Sequence, residues 1–348
     1  MTNTYFLGAN SAGGFFSLYE QFAARPGDRL HVIKGGPGTG KSGFMRRIGE
    51  AAEKRGYDVE YVLCSGDPDS LDGVYIPSLK QGWADGTAPH ILDPGLFGVG
   101  GDYVNLGSFC RLPLLEADGA EIRRLNRAYK ELYARAYDYL SAAARLRRAA
   151  VPSFAGAGPI SRAADRVCGV LRRHTTVRPG KGSLQKRFLS ALSCRGHLRL
   201  TEEIQKLCKL NYCLDDGLLL AGPALSAAAE EAQRRGLDGI LCPSPLTPEA
   251  PEALLLPQEG LAFVAGSWDL PDARHIRLDA LFPAQLLREY RPDLRAGRRL
   301  AEAALNEGLQ KLGQAKALHD ELEAVYRPYM DFAALTAFTD AEIARIFS

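Results

Sequence analysis

At 348 residues, with 46% hydrophobic and 24% charged residues, the chain is long enough for two domains and has the composition of a globular protein. Its formal net charge of +2 gives no electrostatic ground for a nucleic-acid or membrane partner. No apolar run reaches the length of a membrane span, and Met1-Thr2-Asn3-Thr4 lacks the basic start of a signal peptide, so a cytoplasmic location is expected.

In chain order, the first clear element is a short buried strand at Leu30, Val32 and Ile33. It runs into Gly35-Gly36-Pro37-Gly38-Thr39-Gly40-Lys41-Ser42, which fits the phosphate-loop pattern of Gly, any four residues, then Gly-Lys-Ser. Phe44, Ile48 and Ala52 then recur at helical spacing, and Gly56 supplies a stop. Glycines remove Cβ atoms, so backbone N–H groups can turn toward phosphate oxygens, and the positive end of the helix points at the same anion. Lys41 is expected to reach the β- and γ-phosphates and the Ser42 hydroxyl to ligate Mg²⁺. The expected ligand is a nucleoside triphosphate, ATP with Mg²⁺, since no Asn-Lys-x-Asp guanine signature occurs.

A strand ending at Leu63-Cys64 leads into an acidic loop with Asp67, Asp69 and Asp72. Ligands bind beyond the carboxyl ends of strands in an open α/β sheet. Asp67 or Asp69 therefore positions water, contacts Mg²⁺ or accepts a proton; alternatively Asp-Pro-Asp-Ser forms a capped turn. Gly82–Asp85 reads as a strand whose terminal Asp85 is placed to hold Mg²⁺ through water, the other reading being a turn residue before Gly86. Thr87 and His90 follow as candidate γ-phosphate sensors. The glutamate that many phosphate-loop hydrolases carry after this aspartate is replaced by Gly86, which predicts slow or partner-dependent hydrolysis.

A helix is predicted from about Ala120 to Ala149, with an apolar stripe through Leu125, Leu132 and Tyr139. Between Arg166 and Thr201 there is no acid, while Arg172, Arg173, Arg178, Lys181, Lys186, Arg187, Arg195 and Arg199 all occur. This stretch is a solvated linker, a nucleic-acid contact or the source of an arginine finger. The single-strand-binding variant lacks the expected interleaved aromatics.

The second half repeats the first. Phe6, Leu7, Ala9, Ser11, Gly14, Leu18 and Glu20 match Phe188, Leu189, Ala191, Ser193, Gly196, Leu200 and Glu202 at constant spacing, which argues for duplication. Leu218 to Gly222 is the expected counterpart of the Leu30–Gly36 strand, Pro223-Ala224-Leu225-Ser226 of the phosphate loop, Leu241-Cys242 of Leu63-Cys64, and Ala265 of Asp85. The second site thus lacks both lysine and carboxylate. A final helix is predicted from about Leu294 to Tyr326. The seven cysteines form no Cys-x-x-Cys pair and read as reduced thiols without a metal role.

Lys34–Ser42, Cys64–Gly73 and Asp85-Gly86-Thr87-Ala88-Pro89-His90 together resemble an uncharacterised bacterial family of tandem P-loop proteins described only as ATPases. The resemblance covers most of residues 5–150 and, more weakly, the second half. It implies an α/β fold: a P-loop NTPase-like parallel sheet flanked by helices, duplicated in tandem, each half ending in a long helix. The expected organisation is a nucleotide-binding domain at 1–150, a helical and basic linker at 151–183, and a degenerate P-loop-like domain at 184–348. Members with two intact loops look competent at both; this chain departs from that pattern. The sequence-level expectation is an ATP-binding protein, a slow or gated ATPase with catalytic Lys41, Asp85, Asp67 and Asp69 and metal ligands Ser42 and Asp85. The alternatives are a small-molecule kinase and a nucleic-acid-stimulated ATPase acting through the linker. No membrane partner is expected; a protein partner or a second copy of the chain stays open.

Overall fold

A computed structural model describes residues 2–88, 92–152 and 157–348. The first half opens with β1 (Thr2–Phe6) and a hairpin of β2 (Gly8–Ser11) and β3 (Gly14–Ser17). Then come β4 (Arg29–Lys34), α1 (Lys41–Glu53), β5 (Val59–Leu63), β6 (Leu71–Ile76), β7 (Gln81–Asp85) and β8 (Gly101–Asn105). A single turn, α2 (Leu112–Leu115), precedes the long α3 (Gly119–Ala149) and then α4 (Ala157–His174). The sheet order is β1-β5-β6-β7-β4-β8. Pairs β1/β5, β4/β7 and β4/β8 are parallel, while β6 runs antiparallel to both neighbours. The sheet is therefore mixed rather than parallel. The stretch 64–70 is too short for a crossover, so the chain must turn back on itself there.

The second half supplies β9 (Leu184–Lys186), the hairpin of β10 (Ser190–Ser193) and β11 (Gly196–Arg199), and α5 (Thr201–Leu207). It continues with β12 (Leu210–Asp215), α6 (Ala221–Arg234), β13 (Gly239–Pro243), β14 (Pro251–Leu256), β15 (Leu261–Ala265), β16 (Arg274–Arg277), α7 (Ala284–Tyr326) and α8 (Phe332–Ile346). Its sheet order is β9-β13-β14-β15-β12-β16, the same path as in the first half with the same directions. The molecule is thus a two-domain α/β protein with two mixed, mostly parallel sheets flanked by helices. No helix among the described residues is long and apolar enough to cross a membrane.

Two predicted elements lie elsewhere. The strand expected at Leu218–Gly222 is β12, eight residues earlier, and Pro223–Ser226 lie inside α6 rather than in a loop. Leu218, Leu220 and Ala221 are apolar because they are buried where the chain enters α6, and burial alone does not distinguish strand from helix. The last long helix begins at Ala284 and passes through Pro292. Packing of Leu286, Leu287 and Leu294 on the second core outweighs the local cost of that proline, about 3 kcal/mol.

The halves exchange helices. α4 buries Ala163, Val167 and Leu171 with Ala224, Ala228 and Ala232 of α6 in the second core, so much of the stretch read as a linker belongs to that layer. α8, at the end of the chain, returns to the first half, where Phe338 stacks on Phe44 of α1 and Leu335 joins the core around Ile33 and Ile48. α3 and α7 pack along each other.

Between the sheets lies a core shared by both halves, including Phe6, Leu7, Val62, Phe188, Leu189 and Val264. At its centre Phe6 N–H donates to Phe188 O and Phe188 N–H to Phe6 O, both at 2.9 Å. Ala12 N–H donates to Leu246 O (2.9 Å), and reciprocally Cys194 N–H to Gly66 O (3.2 Å). Each such pair joins equivalent places in the two halves, so the interface is nearly two-fold symmetric.

One cation from the basic stretch is buried at this interface. Arg187 donates to Glu60 at 2.9 Å, Tyr5 donates to the same carboxylate at 2.7 Å, and the guanidinium lies 4.0 Å above the Tyr5 ring. Burial, and then the Glu60 charge, push the Tyr5 phenol far above its ordinary range. Removing one partner of a buried pair strands the other charge. Arg187→Ala is expected to cost about 3–5 kcal/mol in chemical denaturation; a loss of about 0.5 kcal/mol, typical of an exposed pair, would show that the carboxylate is solvated.

Candidate phosphate-binding site

β4 lies between β7 and β8, all three parallel, and its end delivers the glycine loop. Val32 and Ile33 are fully buried and fix the strand. Gly38 (φ +67°) and Gly40 (φ +84°) adopt left-handed conformations that a side chain would strain, and α1 starts at Lys41 directly after Gly40. Thr39 donates to Gly36 O at 2.9 Å and closes the loop. The Lys41 ammonium is folded back into the loop: it donates to Gly36 O (2.9 Å) and Gly35 O (3.3 Å) and stands 3.6 Å from Asp85 Oδ2. Ser42 Oγ, one residue on, accepts from Leu71 N–H at 2.9 Å.

Asp85 ends β7 opposite Ile33, which sets it beside the loop. Its Oδ1 accepts from Thr87 N–H (2.8 Å) and Thr87 Oγ1–H (2.6 Å), while Oδ2 faces Lys41. The turn reading of Asp85 is thus seen on one oxygen, while the other faces the Lys41 ammonium. Gly86 has a steric cause: a Cβ there would meet Val32 Cγ1 at 2.2 Å, so no glutamate fits. His90 lies outside the described residues.

The acidic loop after β5 is tied to this site through the Leu71–Ser42 bond. Asp67 accepts from Asp69 N–H (3.3 Å) and Ser70 Oγ–H (3.0 Å), the capped turn, and faces Lys316 of α7 at 3.4 Å. Asp69 pairs with Arg195, and its carbonyl accepts from Arg46 of α1 at 2.8 Å. Asp72 is buried on β6 against Tyr19; burial, then the Asp72 charge, raise the Tyr19 phenol well above its ordinary range. Burial and Asp72 likewise push the Cys64 thiol up. All seven cysteines are free thiols.

The second half also borders the loop, which the sequence left unseen. Cβ atoms built on Gly36, Gly38 and Gly40 would stand 3.1 Å from Tyr326 Cε1, 3.0 Å from Glu323 O and 2.8 Å from Leu335 Cδ2. The glycines thus also admit α7 and α8. Nearby on α7, His319, Asp320 and Glu323 hold ligand atoms within 4.8 Å of one another, with Asp320 paired to Lys316.

At the matching place in the second half, β12 is followed by residues 216–220 and then α6. Ala221 opens α6 where Lys41 opens α1. Ala265 pairs with Leu214 as Asp85 pairs with Ile33, so the expected match of these two positions holds. N–H groups leading into the head of α6 are taken by the chain itself. Asp216 accepts from Leu218 N–H (3.2 Å), Leu220 N–H (2.8 Å) and Ala221 N–H (3.0 Å). A carboxylate occupies the position where a helix N-terminus favours an anion. Cys64 corresponds to Ser244 rather than Cys242: Cys64 N–H donates to Ser70 O as Ser244 N–H does to Ala250 O. The expected cysteine match is thus off by two residues.

No protein-family profile, curated protein or solved structure matches the chain.

Two measurements follow from the second half. Asp216→Ala removes the acceptor for the Leu220 and Ala221 N–H groups at the helix head and for Leu218 N–H before it, and is expected to cost about 1–2 kcal/mol in thermal or chemical unfolding. Glu252, which stands on β14 where Asp72 stands on β6, accepts from Ser190, and burial raises its carboxyl to about 7. The native state then holds a proton that the unfolded chain has released. Stability is full below about pH 4.5 and falls as pH rises toward about 7, by about 3 kcal/mol in total. Glu252→Gln is expected to flatten that slope in urea unfolding; parallel slopes for the two proteins would place the carboxyl in solvent.

Proposed function

We propose that the chain binds ATP with Mg²⁺ at Gly35–Ser42 and is a slow or gated ATPase, in which one competent P-loop half works with a duplicated half that has lost its own site. The observation that carries the reading is the contrast between two equivalent helix heads. One has a glycine loop, Lys41 and Asp85; the other has Ala221, Ala265 and the chain's own Asp216 on its N–H groups. The common strand order of the sheets and the reciprocal Phe6–Phe188 bonds support duplication.

A hydroxyl and a carboxylate are hard oxygen donors suited to Mg²⁺, and Ser42 and Asp85 are the residues that would hold it. Held there, Mg²⁺ would supply positive charge against the phosphates. Lys41 would leave the Gly35 and Gly36 carbonyls to donate to the β- and γ-phosphates. Gly86 cannot be replaced by a glutamate that polarises water, which favours slow turnover. Asp67 is engaged by Lys316 and by its own turn, which leaves Asp69, held only through an exposed pair with Arg195, as the base for the kinase reading in this loop. Arg172, Arg178, Arg187 and Arg195, four of the eight cations on which the nucleic-acid reading rests, pair with Glu231, Glu259, Glu60 and Asp69, which makes that reading the weaker one.

The test is MgATP binding by calorimetry together with phosphate release. Lys41→Ala is expected to lower release at least about tenfold, equivalent to about 1.4 kcal/mol of transition-state stabilisation, and to weaken binding. Equal rates and affinities for the two proteins would end the proposal.

A further inference from the structure

We infer that Arg195, carried by the second half, is the arginine that stabilises the terminal phosphoryl group during its transfer from a nucleotide bound to the first half. This rests on reading Gly35–Ser42 as a triphosphate site. Arg195 sits in the tight turn between β10 and β11, built by Ser193: Ser193 Oγ accepts from Arg195 N–H at 3.1 Å and donates to Gly196 O at 3.0 Å. Cys194 N–H anchors the turn to Gly66 O, in the loop whose far end bonds Ser42 through Leu71. The backbone that carries Arg195 is therefore tied to the same loop that bonds the proposed Mg²⁺ ligand. Its guanidinium rests on Asp69 and is 55% exposed, so little opposes its moving.

The other hairpin is the control that the fold itself provides. β2 and β3 build the same turn, with Ser11 Oγ accepting from Gly13 N–H at 3.1 Å and donating to Gly14 O at 2.6 Å. Ala12 N–H anchors it to Leu246 O in the second half's matching loop. The frameworks agree and the side chains do not: Gly13 stands where Arg195 stands. The arginine is directed to the half with Lys41 and Asp85, and the glycine to the half without their equivalents. Where the glycine leaves space, a cleft of about 320 Å³ opens among Gly13, Arg148, Pro248 and Glu249. An ion pair kept only for stability would have no reason to follow the competent site.

The chemistry assigns the guanidinium its work. In hydrolysis, the bond from the γ-phosphorus to the bridging oxygen breaks and its electron pair stays on ADP. A water oxygen bonds to the phosphorus, and its proton leaves with the phosphate product or solvent. Charge spread over the equatorial oxygens suits a planar fork of N–H donors. With no room for a glutamate at Gly86, charge stabilisation is the contribution this site can make.

The experiment compares MgADP binding with and without aluminium fluoride, a mimic of the phosphoryl group in transfer, for wild type, Arg195→Ala and Arg195→Lys. Arg195→Ala is expected to bind MgADP within about twofold of wild type but the fluoride complex about 100-fold more weakly, below the 10³-fold floor seen for kinetic loss of an arginine finger. Arg195→Lys should fall between, and free guanidinium should restore part of the loss in Arg195→Ala. Unchanged fluoride binding by Arg195→Ala, or an equal loss in both complexes, would overturn the role. Failure of wild type to bind MgADP would instead overturn the triphosphate site itself.

Discussion

Phe6 and Phe188 exchange two hydrogen bonds across the middle of the molecule, and this pairing settles where everything else must go. Because the two residues hold the same place in their halves, the contact brings the halves together back to back about a near two-fold axis. Each hairpin then points at the other half's acidic-loop region, and each long helix runs to the far side. The shared core and the buried Arg187–Glu60 pair form only in this arrangement. A change to the seam would therefore be felt at the glycine loop, although no seam residue belongs to that loop.

Within this symmetric frame the halves differ in how they satisfy the same electrostatic demand. A strand followed by a helix leaves several N–H groups unpaired at the helix head. In the second half Asp216 answers that demand from within the chain. In the first half glycines bare the N–H groups and Lys41 stands folded against loop carbonyls. The second half's helix head is thus capped from within the chain, whereas the first half's keeps glycines and Lys41 in its place.

The sequence made the β4–loop–α1 unit legible because its causes are local: two left-handed glycines, apolar spacing on α1 and the stop at Gly56. The match of Asp85 with Ala265 was legible too, since β7 and β15 lie next to their loop strands. β12 was missed because Asn211, Tyr212 and Cys213 form a weaker apolar signal than Leu218–Leu220, which is buried for a different reason. The antiparallel β6 was missed because a parallel pattern was carried over from the motif. Arg195 was visible only as one of many cations in a stretch without acids, and the approach of Tyr326 and Leu335 to the loop depends on helix exchange, which has no local trace.

That exchange has a consequence for how the chain comes into being. The first half is synthesised first, yet one wall of its core is α8, which is made only after the second half. Until then Phe44 lacks its stacking partner and the loop glycines face open space instead of α7 and α8. The second half, which already has α4, therefore has its packing partners available before the first half does. A nascent chain stalled before residue 332 carries the glycine loop without the helix that finishes its surroundings, so a polypeptide cut short there is incomplete at its beginning.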